Sequence, residues 1–250
     1  MNSITFCIPF CGTNPYHVTV LETCIKRIQI FYPNNTILVC KTSDSLMPDL
    51  STYSNLHIFN TFKDNSHILG AIELLIRECK TENYIICHDS MFLLKALPED
   101  ILNRNYYSLW NFSNYKYCEL NEIQHKLYDT TLTSDQKANL ADMYENSFPT
   151  TWCGIFGPAF GGHLTVLREV WSISNIGLDN IVKYLGRSGI HLCERYLALL
   201  FTHVGCDTLS SLNGNIFNQP KLFHGAMDIP EFSTVEYPNS YFYKIWQFRD

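Results

Sequence analysis

The first half of the chain alternates between short apolar runs and amphipathic stretches. Residues 15–31 and 67–80 repeat their apolar positions with a helical period, as in Ile68, Ile72 and Leu75. Apolar runs of strand length occur at Ser3–Pro9, Thr36–Cys40, Leu56–Phe59 and Tyr84–Cys87. Strands that alternate with helices in this order predict an α/β fold with a mostly parallel sheet flanked by helices.

The second half has a less regular pattern. Residues 106–112 have the composition of a strand, and the tail after residue 216 is rich in aromatic side chains with few helix signals. Helices are predicted at Leu120–Tyr144, Leu164–Val170, Asn180–Leu185 and His191–Val204. Because no repeat, low-complexity linker or charge block divides the chain, we predict one domain over residues 1–250.

A polar triplet, His88-Asp89-Ser90, directly follows the apolar strand predicted at Tyr84–Cys87. Burying these three side chains under a helix would be costly unless they were paired. The carboxyl end of a parallel strand is a better location, because open α/β sheets have their ligand crevice there. The triplet therefore indicates a binding site, although a solvated Asp at a strand end is the simpler alternative.

Composition limits the class of protein. The chain has 250 residues, 46% of them hydrophobic, and a formal net charge of −6, which argues against general nucleic-acid binding. No apolar run approaches the roughly 20 residues of a membrane span, and the N-terminus lacks the features of a signal peptide. Ten cysteines without a C-x-x-C pair indicate reduced thiols, so we expect a cytoplasmic protein. The abundance of Asn, Ile and Tyr suits an AT-rich viral or microbial genome.

Three further features can carry chemistry. Gly161-Gly162 allows backbone to approach a ligand or to turn tightly. Glu194 lies near the start of a predicted helix, where an acid can either compensate the helix dipole or act as a general base. His224, between Phe223 and a glycine, can be a metal ligand or an ordinary hydrogen-bonded histidine.

The order of these features resembles the GT-A class of nucleotide-sugar glycosyltransferases. The resemblance implies a GT-A-like, Rossmann-type sheet with a smaller acceptor-side C-terminal portion. It makes His88-Asp89-Ser90 the counterpart of the family's acidic motif, which binds a divalent metal and the donor diphosphate. It also makes Gly161-Gly162 the glycine loop that shapes the sugar site, and Glu194 the candidate base.

The same resemblance implies a donor, an acceptor and a cofactor. The donor is a nucleotide sugar, with a UDP-sugar favoured, and the acceptor is a hydroxyl of a glycan or another molecule. Asp89 and His224 become metal ligands for Mn²⁺ or Mg²⁺, with Mn²⁺ favoured because imidazole suits it better. The implied donor contacts are Pro9, Phe10, Thr42, Asp44, Asn65 and His67. Aromatic candidates for stacking on sugar rings are Trp110, Trp152 and Phe160, with core packing as the alternative.

Two departures from the family pattern leave alternatives open. The triplet has one carboxylate, Asp89, where the family commonly has two, so a metal-independent enzyme is an alternative. Arg195 follows Glu194 where inverting members commonly have a second acid; inversion is slightly favoured, and in a retaining enzyme Glu194 would position substrate. A catalytically silent sugar-binding relative and, less favoured, a metal-dependent phosphohydrolase are the rival functions.

Overall fold

The computed structural model describes residues 3–60, 67–113, 134, 153–174, 193–216, 228–233 and 239–245. The strands are β1 (Ile4–Phe10), β2 (Thr36–Lys41), β3 (Leu56–Asn60), β4 (Asn83–Ile86), β5 (Met91–Leu93), β6 (Tyr106–Ser108), β7 (Asn111–Ser113), β8 (Cys153–Ile155), β9 (Phe160–His163) and β10 (Phe242–Lys244). The helices are α1 (Pro15–Phe31), α2 (His67–Glu78), α3 (Glu99–Leu102), α4 (Leu164–Ser174) and α5 (residues 193–203).

Helix α1 begins where its sequence provides a cap. The Asn14 side chain accepts a hydrogen bond from the backbone N–H of His17 at 3.0 Å. Pro15 occupies the first turn, where its missing N–H is not needed. The buried positions of α1, which include Leu21, Ile25 and Ile28, repeat at helical spacing and face the sheet. Asn14 therefore fixes the path of the chain from the end of β1 into the first helix.

Six strands form the main sheet in the order β3-β2-β1-β4-β9-β6. The pairs β2–β3, β1–β2 and β1–β4 are parallel, whereas β9 runs antiparallel to both β4 and β6. All seven residues of β1 are buried, as expected for a strand covered on both faces. The prediction of a mostly parallel α/β sheet flanked by helices is confirmed.

Two hydrophobic cores lie on opposite faces of this sheet. One includes the buried residues of α1 together with β5 and β10, for example Ile25, Phe92 and Phe242. The other includes the buried residues of α2, α4 and α5, for example Leu75 and Leu167. Both faces of the central strands are thus removed from water, whereas β3 at the sheet's edge keeps exposed residues such as Ile58.

Two small sheets flank the main one. Strand β10 pairs antiparallel with β5, with Lys244 opposite Met91, and β7 pairs antiparallel with β8. The N–H of Ile245 also donates to the carbonyl of Ser90 at 3.0 Å. Residues 242–245 are thereby held beside the polar triplet.

Two expectations about local structure are wrong. Residues 106–112 are not one strand: β6 pairs with β9 in the main sheet, and β7 leaves it to pair with β8. Gly161-Gly162 is not a loop, because both glycines lie within β9 and pair with β4 and β6. The predicted helices at Leu120–Tyr144 and Asn180–Leu185 lie outside the described residues, apart from the isolated residue 134.

Both glycines are required by packing across the sheet. A Cβ at Gly161 would lie 2.5 Å from the Tyr107 ring, and a Cβ at Gly162 would collide with the backbone carbonyl of Asn105. Missing side chains here allow β6 to approach β9 closely.

Among the residues that the structure describes, no helix is both long and apolar enough to cross a membrane.

The two glycines should respond differently to a change at Tyr107. We expect Gly161→Ala to lower the free energy of unfolding by about 1–3 kcal/mol, as overpacking does, and to cost less when Tyr107→Leu is also present. Gly162→Ala should be destabilising to the same extent in both backgrounds, because its obstacle is backbone. Denaturant unfolding of the single and double variants measures both couplings. Equal costs of Gly161→Ala in the two backgrounds would contradict this packing.

Candidate functional site

The polar triplet lies at the carboxyl end of β4, beside the carboxyl end of β1. The Cys87 N–H donates to the Cys7 carbonyl at 3.1 Å, and the Met91 N–H closes the turn on the His88 carbonyl at 3.0 Å. From β1 the sheet continues through β2 and β3 on one side and through β4 on the other, so the strand order reverses between β1 and β4. Such a reversal is where open α/β sheets bind ligands. The triplet thus follows the strand end where it is predicted, but Asp89 and Ser90 are buried there, so the cost of burial does not keep them in solvent.

A second turn, residues 156–159, lies next to the triplet because β9 is antiparallel. Phe160, the first residue of β9, pairs with Ile86, the last residue of β4. The turn that precedes β9 therefore faces the turn that follows β4. Gly157 has φ +60, and a Cβ on it would lie 3.0 Å from Cε1 of the His88 ring. Both the backbone conformation and the nearby imidazole require glycine at this position.

Glu194 reaches the same turn from α5. Its Oε1 accepts a hydrogen bond from the Gly157 N–H at 2.9 Å, and its side chain is only 12% exposed. Nη1 of Arg195 lies 4.0 Å from Oε2 of Glu194, and the Arg195 guanidinium also lies over the Phe112 ring at 4.9 Å. Gly157 thus touches both His88 and Glu194, residues that are more than one hundred positions apart in the chain.

Lys244, in β10, brings a positive charge to the same place. Its side chain is buried, and Nζ donates to Oγ of Ser90 at 3.0 Å. Nζ also lies 6.0 Å from the centre of the Phe156 ring, and its charge acts on Glu194. The cluster therefore combines Glu194, Arg195 and Lys244, all largely withdrawn from water, and Asp89 is buried in the adjoining turn.

Burial dominates the acidity of Glu194. Loss of solvation raises the pKa of its carboxyl to about 7, against the opposing effects of the Gly157 N–H and the charges of Arg195 and Lys244. A carboxylate with such a pKa is half-protonated near neutral pH, so it can both accept and return a proton there. Glu194 has the acidity that a general base at neutral pH requires.

The predicted donor contacts at β1 and β2 are placed near one another, but three of them are buried. The side chains of Phe10 and Pro9 are buried, and the Phe10 carbonyl already accepts hydrogen bonds from the Thr42 N–H and from Oγ of Ser45. Thr42 is buried and bonded to Oγ of Ser45 at 2.7 Å, which braces the loop after β2. Asp44 is exposed in this loop. Asn65, the side chain of His67, Trp152 and His224 lie outside the described residues.

Two of the aromatic candidates belong to the cores. Trp110 and Phe160 are both 0% exposed, so neither can stack on a sugar ring, and core packing was the correct alternative. Gly161 and Gly162 lie inside the sheet rather than at its ligand edge. Their role as a glycine loop that shapes the sugar site is therefore not supported, since close strand packing accounts for both.

The described side chains do not by themselves make a metal site. Within the described part of the chain, no three His, Cys, Asp or Glu residues are grouped to hold a metal ion. Asp89 is buried, and the residue after it holds the Lys244 ammonium, whose charge would oppose a cation placed close by. His224 lies outside the described residues, so the pair Asp89–His224 stays a prediction.

Three residues of the cluster were not singled out from the sequence as site residues. Gly157 precedes a proline between two apolar runs, which is a turn signal. Lys244 is a single cation within the aromatic run YFYKIW, where a buried strand would otherwise be apolar. Arg195 was noted only as a departure from a family motif. In the sequence each of the three is an unusual residue at its own position, and only the folded structure brings them together.

The raised pKa of Glu194 makes stability depend on pH. Between about pH 4.5 and 7 the folded protein keeps a proton that the unfolded chain releases, so rising pH lowers stability across this range. Glu194→Gln imitates the protonated side chain and keeps an acceptor for the Gly157 N–H. We expect it to be more stable than wild type by up to about 3 kcal/mol at pH 8, with the difference disappearing towards pH 5.

Denaturant unfolding from pH 5 to 8 measures this difference. Glu169→Gln, which removes an exposed carboxylate from α4, is the matched control and should show little change. A Glu194→Gln variant that is less stable than wild type at pH 8 would contradict a carboxyl held at raised pKa by burial.

No protein-family model matches the chain, and no curated protein matches it significantly. The function of the chain is therefore inferred from its site.

Proposed function

We propose that this protein is a glycosyltransferase that moves a sugar from a nucleoside diphosphate sugar, with a UDP-sugar favoured, to a hydroxyl group of a glycan or another acceptor. The reacting centre lies between the His88–Ser90 turn and Glu194. The nucleotide lies over the carboxyl ends of β1 and β2, beside the exposed Asp44. This orientation puts the donor across the point at which the strand order reverses.

One observation carries the proposal. The Gly157 N–H binds the Glu194 carboxylate, and Gly157 itself lies against the His88 ring. The residue expected to act as base and the turn expected to meet the diphosphate therefore line one site, although the chain separates them widely. An acid that only compensated the dipole of α5 would not need to bond to the turn that lies against His88.

The reaction requires one proton transfer and one exchange of bonds at the anomeric carbon. The acceptor oxygen forms a bond to this carbon while the bond from carbon to the diphosphate oxygen breaks, and its electron pair stays on the diphosphate. Glu194 takes the proton of the acceptor hydroxyl. The sugar passes through an oxocarbenium-like transition state. Attack from the face opposite the diphosphate inverts the anomeric configuration, which is the slightly favoured outcome.

The positive side chains around the site can stabilise the negative charge of the leaving group. Negative charge builds up on the departing diphosphate, and fixed positive groups in a site with little water stabilise it strongly. Arg195 and Lys244 are positive groups that folding has already placed and desolvated. The Gly157 N–H holds Glu194 in one orientation, so that its second oxygen is directed by the site rather than by solvent.

A screen of UDP-, GDP- and TDP-sugars tests the proposal. Thermal shift measures binding, with and without Mn²⁺, and release of nucleoside diphosphate in the presence of hydroxyl acceptors measures turnover. We expect at least one donor to stabilise the protein and to be consumed. Binding without any turnover would favour the silent sugar-binding relative, and no shift with any donor would contradict the proposal.

Glu194→Gln should separate binding from transfer. We expect it to bind the donor as wild type does and to transfer sugar about 10²–10⁴ times more slowly, the usual contribution of a general base. Initial rates of sugar transfer at saturating donor measure the loss, and Glu169→Gln is the control. Transfer by Glu194→Gln at the normal rate would exclude Glu194 as the base.

A further inference from the structure

Lys244 is a charged residue in a strand that is otherwise aromatic and apolar. Phe242, two residues earlier and on the same face of β10, is buried in the core against Trp110. Lys244 is itself only 6% exposed. Burying an ammonium group is costly even when it is paired, and apolar replacements of buried ion pairs are often neutral or stabilising. Packing alone therefore gives no reason for a lysine at this position.

Three separate elements surround the ammonium group of Lys244. Ser90, in the turn after β4, accepts its hydrogen bond at 3.0 Å, and the Phe156 ring, in the turn before β9, lies 6.0 Å away. The third element is α5, where the positive charge of Lys244 acts to lower the pKa of Glu194. Lys244 is thus directed at the turn that follows β4 and not along the surface of the tail.

We propose that Lys244 is a diphosphate-binding residue, whose ammonium supplies the positive charge at the donor's diphosphate without a divalent cation. This inference rests on the proposed function for the identity of the ligand, and on the geometry of Ser90 and Lys244 for its location. The ligand class is a pyrophosphate group, free or within a nucleoside diphosphate. Lysine is a common partner of phosphate because it acts as a compact point charge.

The charges in the cluster favour a lysine over a divalent cation as the positive group at the diphosphate. The acidic triplet has a single carboxylate, Asp89, and the residue after it is bonded to a cation. Asp89 adjoins Ser90, to which the ammonium of Lys244 is bonded, and this charge opposes a divalent ion placed in the same turn. Arg195, buried near Glu194, adds a second positive charge. During transfer Lys244 remains protonated and only offsets the charge that the leaving diphosphate acquires.

Binding of inorganic pyrophosphate in the presence of EDTA tests the proposal. Isothermal titration calorimetry measures its affinity for wild type and for Lys244→Met, Lys244→Arg and Lys95→Met. We expect wild type to bind without metal and Lys244→Met to bind at least about tenfold more weakly, as expected for loss of a charged hydrogen-bond donor. Lys244→Arg should keep most of the affinity. Lys95, which lies over the Tyr241 ring at 4.5 Å, is the matched control and its loss should have no effect.

Ser90→Ala keeps the test decisive if Lys244→Met does not fold. It leaves the charge in place and removes only the oxygen that orients it. We expect this variant to bind pyrophosphate several-fold more weakly than wild type, and thermal melting checks that it is folded. If Lys244→Met does not fold, unchanged affinity in folded Ser90→Ala would overturn the proposal.

The proposal and the proposed function can fail separately. If pyrophosphate binds through Lys244 but no nucleotide sugar is used, the diphosphate site stands and the glycosyltransferase function falls. If a nucleotide sugar is transferred while folded Lys244→Met binds pyrophosphate as wild type does, Lys244 is not a diphosphate-binding residue. Wild-type binding that requires Mn²⁺, or no binding of pyrophosphate under either condition, also overturns the proposal.

Discussion

Burial of opposite charges is the constraint on which this end of the molecule depends. Lys244, Arg195 and Glu194 come from β10 and α5, and each would cost several kcal/mol if it were buried alone. The Gly157 N–H, the Ser90 hydroxyl and the opposite charges offset part of this cost, and the raised pKa of Glu194 reflects the part that remains uncompensated. The pairing of β10 with β5 and the packing of α5 are therefore coupled to the two turns that they meet.

The antiparallel strand β9 makes this meeting possible. A strand parallel to β4 would begin next to the amino end of β4, so the turn before it would lie at that end of the sheet. Because β9 is antiparallel to β4, residues 156–159 lie next to His88, and Gly157 among them contacts Glu194 of α5. Its glycines leave room for the Tyr107 ring and for the backbone at Asn105. A strand whose glycines are needed for packing thus also positions the turn that contacts His88 and Glu194.

In the proposed chemistry the acidic and the basic side chains have different tasks. Burial gives Glu194 a pKa near neutral pH, and in the proposed reaction Lys244 and Arg195 would offset the negative charge of the leaving group. The same low-polarity surroundings serve both purposes, because they raise the proton affinity of the carboxylate and strengthen the attraction between cation and phosphate. Acid–base chemistry and leaving-group stabilisation would therefore depend on the same exclusion of water.

The sequence by itself determined the α/β class, the bounds of α1 and the location of the His88–Ser90 triplet at a strand end. These features follow from the periodicity of apolar positions, from Pro15 in the first turn of α1 and from the end of an apolar run at Cys87, which are all local patterns. Tertiary structure decided that Gly161 and Gly162 belong to a strand, that residues 106–112 split between two sheets, and that Lys244 joins the site. Each of these depends on which distant segment lies alongside, and a local pattern contains no information about strand direction or about partners far along the chain.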